Sequence, residues 1–205
     1  MRAADRRELI LGSAMRVFGD HGYVGTTTAE IARAAGVSQP YVIRIFGTKE
    51  KLCLEVLNRA LAELLAAFAA ALDTDSKLPP GEPARPVAQR LGAAYVNLVA
   101  NRGLLLSLMH AFVLGPDPVI GAVARAGFMA VYRFLRERAG FTAAQAQGFL
   151  AQGMLINTMI GLRMVDDLDN VHNTNNDYTA ELLDGAFGGQ IDVLLALKAT
   201  ERAGE

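Results

Sequence analysis

The fold is decided by residues 26–52, which read TTTAEIARAAGVSQPYVIRIFGTKEKL. Thr27 and Glu30 have the spacing of a capping box, in which each side chain satisfies a backbone N–H of the other residue at the start of a helix. Gly36 offers the left-handed conformation that ends a helix. Ser38 is then expected to cap a further helix. The stretch therefore predicts two short helices joined by a tight corner.

Such a corner is the geometry of a helix-turn-helix, whose second helix lies in the major groove of DNA. A plain corner between two helices of a bundle has the same spacing, so the spacing alone leaves both interpretations open.

The residues themselves add a resemblance. The run from Thr26 to Ser38, followed by Phe46 to Leu52, resembles the tetracycline-repressor family of bacterial regulators, as does the preceding helix ending Phe18…Gly22-Tyr23. The resemblance covers only the N-terminal quarter of the chain. It implies a DNA-binding module followed by a divergent domain that binds an effector and dimerises.

Seven residues are implied to face DNA. The resemblance puts Thr27, Thr28 and Lys49 near phosphates and Gln39, Pro40, Tyr41 and Arg44 on the exposed side of the recognition helix. Glutamine can bridge the N6/N7 edge of adenine, and arginine can grip guanine or a phosphate. For Arg44 and Lys49 the alternative is an ordinary solvated charge.

Two isoleucines depart from the family pattern. Ile43 stands where relatives usually have tyrosine, and Ile45 stands where they often have histidine or tyrosine. Two polar contacts to the DNA backbone are therefore expected to be absent. The departure supports an alternative function, an all-α small-molecule or protein-interaction module whose helix-turn-helix has lost operator recognition.

Composition and periodicity indicate that the rest of the chain is also helical. The 205 residues are 52% hydrophobic and 20% charged, which is a globular composition. Apolar residues recur at helical spacing throughout, so we predict an all-α protein with a three-helix DNA-binding domain at 1–50 and a larger helical domain at 51–205. Residues 77–86, with four prolines, form the clearest linker.

Charge is distributed unevenly along the chain. The net charge is −1, but residues 1–51 carry eight basic and five acidic residues. A small positive excess thus accompanies the predicted DNA-binding module, whereas the rest of the chain is acidic.

The predicted dimer interface lies on two C-terminal helices, at 142–165 and 178–199. The first is apolar around nearly its whole circumference, and both contain several glycines, which suit the close approach of another backbone. The expected interface residues are Gly153, Ile156, Ile160, Phe187, Ile191 and Leu194. Ordinary packing within one chain is the alternative. A dimer would present two recognition helices to palindromic, double-stranded operator DNA.

An effector site is expected among the middle helices, where adaptable methionines and aromatic residues accompany few polar groups. Its candidate residues are Tyr95, Met109, His110, Phe112, Phe128, Met129, Tyr132, Met154 and Asn157. They suit a small hydrophobic or aromatic effector. The alternative is that the same stripe is plain hydrophobic core.

Enzymatic function is not predicted. The histidines His21, His110 and His172 are far apart, and neither metal-ligand spacing nor a glycine-rich phosphate loop is present in the sequence, so no metal or cofactor is expected. The single cysteine, Cys53, is expected to be a buried, inert thiol, with a redox sensor as the alternative. The sequence suggests neither a leader peptide nor a membrane span, so a cytoplasmic location is expected.

Overall fold

The computed structural model describes residues 3–73, 85–99, 101–169 and 176–187. Every element in these ranges is helical, which confirms the predicted all-α class. The helices are α1 (Ala3–Gly25), α2 (Thr28–Ala34), α3 (Gln39–Phe46), α4 (Lys49–Leu72), α5 (Val87–Leu98), α6 (Arg102–Val113), α7 (Ile120–Arg133), α8 (Ala143–Gly161) and α9 (Asn176–Phe187). A π-helical segment, Phe134–Arg138, extends α7, and a 3₁₀ segment, Met164–Asp169, follows α8.

The predicted corner between α2 and α3 is present. The Thr27 hydroxyl accepts a hydrogen bond from the N–H of Glu30 at 3.2 Å, and the Glu30 carboxylate accepts one from the N–H of Thr27 at 2.7 Å. Gly36 has a φ of 63°, as expected of the residue that ends α2. Ser38 occupies the N-cap position of α3, but its side chain makes no capping hydrogen bond. The helix boundaries are thus as predicted, whereas the side-chain cap expected of Ser38 is not formed.

The first helix bends at Gly22, where the sequence predicts its end. Gly22 has a φ of 67° within α1, and one further helical turn follows it. The buried Thr26 hydroxyl donates to the Gly22 carbonyl at 2.7 Å and so fixes the bend.

The chain divides into two compact units, of which the first comprises Met1–Glu63 and Asn101–Val131. Its core is made by apolar residues that are almost completely buried: Ile10, Ala14, Phe18, Ile31, Val42, Phe46, Leu52, Val56, Leu104, Leu105 and Ile120. The compact unit therefore extends beyond the predicted boundary at residue 50, because α6 packs directly against α1. The functional division at that residue remains a prediction.

Ion pairs join α1 to α4 within this unit. Arg7 pairs with Glu55, and its guanidinium lies 5.0 Å from the centre of the Phe46 ring. Arg59 pairs with Glu8 of α1 at 2.5 Å and with Glu63 of its own helix at 2.7 Å. These contacts tie the first helix to the helix that follows the recognition helix.

The second unit comprises Leu64–Ala100 and Tyr132–Glu205. Phe68 is its central core residue, since its ring centre lies 5.7 Å from that of Phe149 and 5.9 Å from that of Phe134. Thr142 and Gln145 form a second capping box at the start of α8.

Several boundaries differ from the predictions in the C-terminal part. The α8 helix ends at Gly161, four residues before the predicted end. The α7 helix begins at Ile120 and is capped by Asp117, whose carboxylate accepts from the N–H of Ile120 at 2.8 Å. The predicted linker at 77–86 and the final helix beyond Phe187 lie mostly outside the described residues.

Within the described ranges, no single helix is both long and apolar enough to cross a membrane. By length and composition alone, the bent pair Val87–Leu98 and Gly103–Val113 would meet that requirement.

Candidate functional site

The recognition helix α3 has one buried and one exposed side. Val42 and Phe46 are buried in the first unit, as the sequence predicts. The side chains of Gln39, Pro40, Ile43 and Arg44 are exposed. Their spacing of one, three or four residues places them on one face of the helix. This face of α3 is open to solvent.

Gln39 is held in place by α2. Its side-chain Nε2 donates to the hydroxyl of Thr28 at 2.9 Å. An amide nitrogen has two hydrogens and the amide oxygen is an acceptor, so this bond leaves one donor and the acceptor for an adenine edge. Thr28, which the family resemblance puts near a phosphate, therefore also positions Gln39.

Tyr41 lies against two arginines. The guanidinium of Arg44 is 4.7 Å from the centre of the Tyr41 ring, and that of Arg6 in α1 is 5.9 Å away. Both distances are within the range of cation–π attraction. Arg6 was missed by the sequence reasoning, and the only signal for it is the group of arginines near the start of the chain.

Lys49 has internal partners. Its ammonium donates to the carbonyls of Tyr23 at 2.9 Å and Thr26 at 3.0 Å, and it lies 4.3 Å from the centre of the Tyr23 ring. In the free protein Lys49 thus fixes the link between α1 and α2. One of its three N–H donors is left for the predicted phosphate contact.

Thr27 also combines two features. Its hydroxyl belongs to the capping box, yet the residue is exposed beside the recognition helix. The hydrogen bonds from Thr27 lower the pKa of the Glu30 carboxyl, chiefly through the Thr27 backbone N–H. The carboxylate is thereby favoured where the helix N-terminus carries partial positive charge.

The predicted effector residues fall into both units. Met109, His110, Phe112, Phe128 and Met129 belong to the first unit, and Tyr95, Tyr132, Met154 and Asn157 belong to the second. Phe112 and Phe128 meet edge to face with ring centres 5.7 Å apart. A ring nitrogen of His110 lies 3.1 Å from the Gly19 carbonyl, which joins α6 to α1. Tyr132 accepts a hydrogen bond from Arg136.

A cavity of about 480 Å³ lies within the second unit, between α5, α8 and α9. Of the predicted effector residues, Tyr95 lines it. The buried Tyr95 hydroxyl donates to the side-chain oxygen of Asn157 at 2.7 Å, and burial raises the pKa of the phenol. The remaining lining residues were not singled out as effector contacts from the sequence: Arg85, Gln89, Gly92, Ala93, Val96, Phe149, Gln152, Gly153, Ile156, Gly185, Ala186 and Phe187.

Two glycines give this cavity part of its width. A Cβ atom built on Gly92 or Gly185 would meet no other atom within 4 Å. Gly153 instead faces the Tyr95 ring, whose nearest atom would lie 3.5 Å from such a Cβ. The sequence interpretation takes Gly153 and Gly185 as signs of a helix contact, whereas here they line a cavity. Spacing alone does not distinguish the two.

The predicted dimer residues point largely into the chain itself. Ile156, Ile160 and Phe187 are each no more than 6% exposed, so their side chains are not available to a second copy. Ile191 and Leu194 lie outside the described residues. A different side of α8 is exposed: Ala144, Gln147, Gly148, Ala151, Gln152, Leu155 and Thr158.

Cys53 is buried, and burial raises the pKa of its thiol to about 12. The thiol is therefore protonated at neutral pH, which agrees with the inert role predicted for it. Within the described residues, no group of three or more histidine, cysteine, aspartate or glutamate side chains could hold a metal ion.

The N-terminal part of the chain is similar in sequence to known proteins. Residues 10–56 match the family model described as bacterial regulatory proteins, tetR family. The HTH-type transcriptional regulator BetI of Rhizobium meliloti is 41% identical over 59 residues, which are 29% of this chain and 29% of that protein. The BetI protein of Agrobacterium fabrum is 39% identical over 67 residues, 33% of this chain and 32% of its own. The match thus spans about a third of these relatives.

The fold resemblance extends further. A TetR-like transcriptional regulator from Rhodococcus sp. RHA1 superposes with a TM-score of 0.56 at 19% identity, covering 94% of this chain and 98% of that one. A transcriptional regulator from Pseudomonas aeruginosa PAO1 gives 0.55 at 18% identity, covering 92% and 93%. At these identities the likeness establishes the fold over nearly the whole chain.

Proposed function

We propose that residues 10–56, which match the tetR family of bacterial regulatory proteins, form a DNA-binding domain. On this premise the chain is a ligand-responsive transcriptional repressor. It binds a palindromic operator as a dimer in the cytoplasm, and a small hydrophobic or aromatic effector releases it. One observation carries the proposal: the exposed face of α3 presents an amide and a guanidinium, with the half-buried phenol of Tyr41 beside them, on a helix whose other side is anchored in the core.

The polar groups of this face suit contacts with both the bases and the phosphates of double-stranded DNA. Gln39 is supported by Thr28, which reduces the freedom that its amide loses on binding a base. Arg44 and Arg6 both lie against the Tyr41 ring and add positive charge beside the helix. Phosphate contacts supply affinity and base contacts supply sequence preference.

Selection from a pool of random duplexes by the full chain tests this function. We expect enrichment of a palindrome, with affinity that falls steeply with salt because each phosphate contact releases counterions. Gln39→Ala is expected to relax preference at one position by about 1–3 kcal/mol. Arg44→Ala is expected to weaken binding to all sequences and to reduce the salt slope by about one.

Arg138→Ala is the matched control. This arginine is also exposed and also stacks on an aromatic ring, Phe134, but it lies in the second unit. Its loss should leave DNA binding unchanged. Enrichment of no sequence by the protein would support instead the alternative module that has lost operator recognition.

The exposed side of α8 is the better candidate for the dimer contact. It carries small residues, Ala144, Gly148 and Ala151, followed by Leu155, which is 37% exposed. Small residues allow two helix backbones to approach closely, and a leucine adds apolar area to bury. A second copy of α8 packed in antiparallel orientation would cover this surface.

Sedimentation of Leu155→Arg tests the interface. We expect a monomer, because the charge would be buried without a partner. Val113→Arg is the control, since Val113 is 78% exposed and lies in the first unit. An unchanged assembly in both variants would contradict the α8 interface.

The effector site is best placed in the cavity of the second unit. Its volume of about 480 Å³ lies in the range of small-molecule sites. Phe149 and Ile156 offer apolar surface, whereas Arg85, Gln89 and Gln152 bring polar groups. An aromatic molecule with one polar end would match this distribution.

A thermal-shift screen with hydrophobic and aromatic compounds tests the site. Gly92→Leu would place a side chain in the open space of the cavity, so we expect the ligand-induced rise in Tm to disappear while operator binding persists. Gly12→Leu is the control, because Gly12 also has open space around its Cβ position but lies in α1. A shift that survives in the Gly92 variant would place the effector elsewhere.

A further inference from the structure

Ile43 is an apolar side chain on the face of α3 that the proposed function directs at DNA. It is 46% exposed, although it lies between an amide and a guanidinium on the same helix face. A single exposed isoleucine is unremarkable by itself. Its position on this helix is what gives it a specific partner.

The polar neighbours of Ile43 do not cover it. Gln39, one turn earlier, donates to Thr28, and Arg44, the next residue, stacks on Tyr41. Of the other residues three or four positions from Ile43, Phe46 is buried, whereas Pro40 and Gly47 are exposed and carry no polar side chain. Ile43 and Pro40 thus form a short apolar strip with polar recognition groups on either side.

The floor of the major groove has one apolar group that could contact such a strip. Base edges there present hydrogen-bond donors and acceptors, and only thymine adds a C5-methyl group. Against any other edge, an isoleucine would remove water from polar atoms without replacing their hydrogen bonds. We infer that Ile43 reads the C5-methyl group of a thymine in each half-site and is a specificity-determining residue. The inference rests on the proposed function.

The helix geometry indicates where that thymine lies. Four residues of helix rise about 6 Å, which is close to two base-pair steps of about 3.4 Å. With α3 along the groove, the thymine lies about two steps from the base read by Gln39. Tyrosine at this position, as in relatives, could hydrogen-bond to the backbone, so Ile43 exchanges a phosphate contact for a base contact.

Removal of single methyl groups from the operator tests the inference. The full chain first selects its operator from random duplexes, and each thymine is then replaced in turn by deoxyuridine, which lacks the methyl group. At one symmetric position we expect the affinity of the unaltered protein to fall about fourfold per half-site, the effect of one buried methyl group. Ile43→Ala is expected to lose a similar amount on thymine and to bind thymine and uracil equally.

Two controls keep the result interpretable. Ile43→Ala is expected to stay folded, because the side chain is only half-buried and alanine is a stronger helix former; thermal denaturation checks this. Val113→Ala removes an exposed apolar side chain elsewhere in the first unit and should respond to uracil as the unaltered protein does.

The possible failures are distinct. Tight binding to a selected operator with no position sensitive to uracil would overturn the inference and leave the proposed function standing. Equal sensitivity in Ile43→Ala and the unaltered protein would do the same. Selection of no sequence at all would overturn the proposed function and this inference together.

Discussion

Gly19 of α1 and Gly103 of α6 meet without a side chain between them: a Cβ atom built on Gly19 would lie 2.7 Å from the Cα of Gly103. There is equally little space at Gly103, since a Cβ atom there would lie 2.9 Å from the Cα of Arg16. Further along α6, a ring nitrogen of His110 lies 3.1 Å from the Gly19 carbonyl. The first helix, α1, is therefore packed backbone to backbone against α6.

Gly19→Ala should weaken this contact. The added methyl group would meet backbone atoms, which cannot move aside as a flexible side chain can, so we expect a loss of about 1–3 kcal/mol in the free energy of unfolding. Thermal denaturation should show a fall in Tm of roughly 2–4 °C per kcal/mol. Gly12→Ala, in the same helix but with open space around its Cβ position, should be neutral or stabilising. Equal Tm values for the two variants would contradict the packing argument.

Thr27→Ala should affect both stability and DNA binding. Loss of an N-cap side chain costs about 1 kcal/mol, and the same cost is expected for Thr142→Ala in the capping box of α8. Operator affinity, measured by fluorescence anisotropy, should fall in the Thr27 variant alone, because only that cap lies beside the recognition helix. A similar affinity in both variants would remove Thr27 from the DNA interface.

Glu30→Gln should make stability less dependent on pH. The folded state lowers the pKa of the Glu30 carboxyl below its usual 4.5, so the stabilising contribution of the carboxylate is present above that value and is lost as pH falls through the folded pKa. The Tm advantage of the natural protein over Glu30→Gln should therefore be seen at neutral pH and shrink in acid. Gln145→Glu, in the other capping box, should acquire the same pH dependence. Parallel pH profiles for all three proteins would contradict this account.

Tyr95→Phe should destabilise the second unit. The hydroxyl donates a hydrogen bond to the Asn157 side-chain oxygen at 2.7 Å, and both residues are buried. Leaving a buried acceptor unsatisfied costs about 1–3 kcal/mol. The double variant Tyr95→Phe, Asn157→Leu should recover much of that loss in urea denaturation, because no buried polar atom then remains unpaired. Additive losses in the double variant would show that the hydrogen bond is not the cause.

Local interactions between residues close in sequence were sufficient to predict the N-terminal helices. The capping box at Thr27 and Glu30 and the left-handed Gly36 act through residues three or four positions apart, so their spacing predicts the helix ends directly. The same holds for Thr142 and Gln145. Ser38 shows the limit, since its position predicts the boundary but not whether the side chain makes the hydrogen bond.

Long-range contacts were not predictable in the same way. The stacking of Arg6 on Tyr41 joins residues 35 positions apart, and the use of Lys49 to fix the α1–α2 link needs carbonyls from another element. Two of the dimer residues predicted on α8, Ile156 and Ile160, are buried within the chain itself, and the interface stays a prediction. An all-round apolar helix gives no preferred face in the sequence, and only packing identifies the exposed one.

Residues 26–52 by themselves determined the helix-turn-helix and the family resemblance, because caps, turns and the buried side of a short helix are set by neighbours in the chain. The tertiary structure alone decided that Ile43 stays uncovered on the recognition face, that Gly19 meets Gly103, and that Ile156 is internal while Leu155 is exposed. These features depend on which distant surfaces meet. Periodicity predicts which apolar residues share a helix face, whereas their burial depends on the surface that packs against that face.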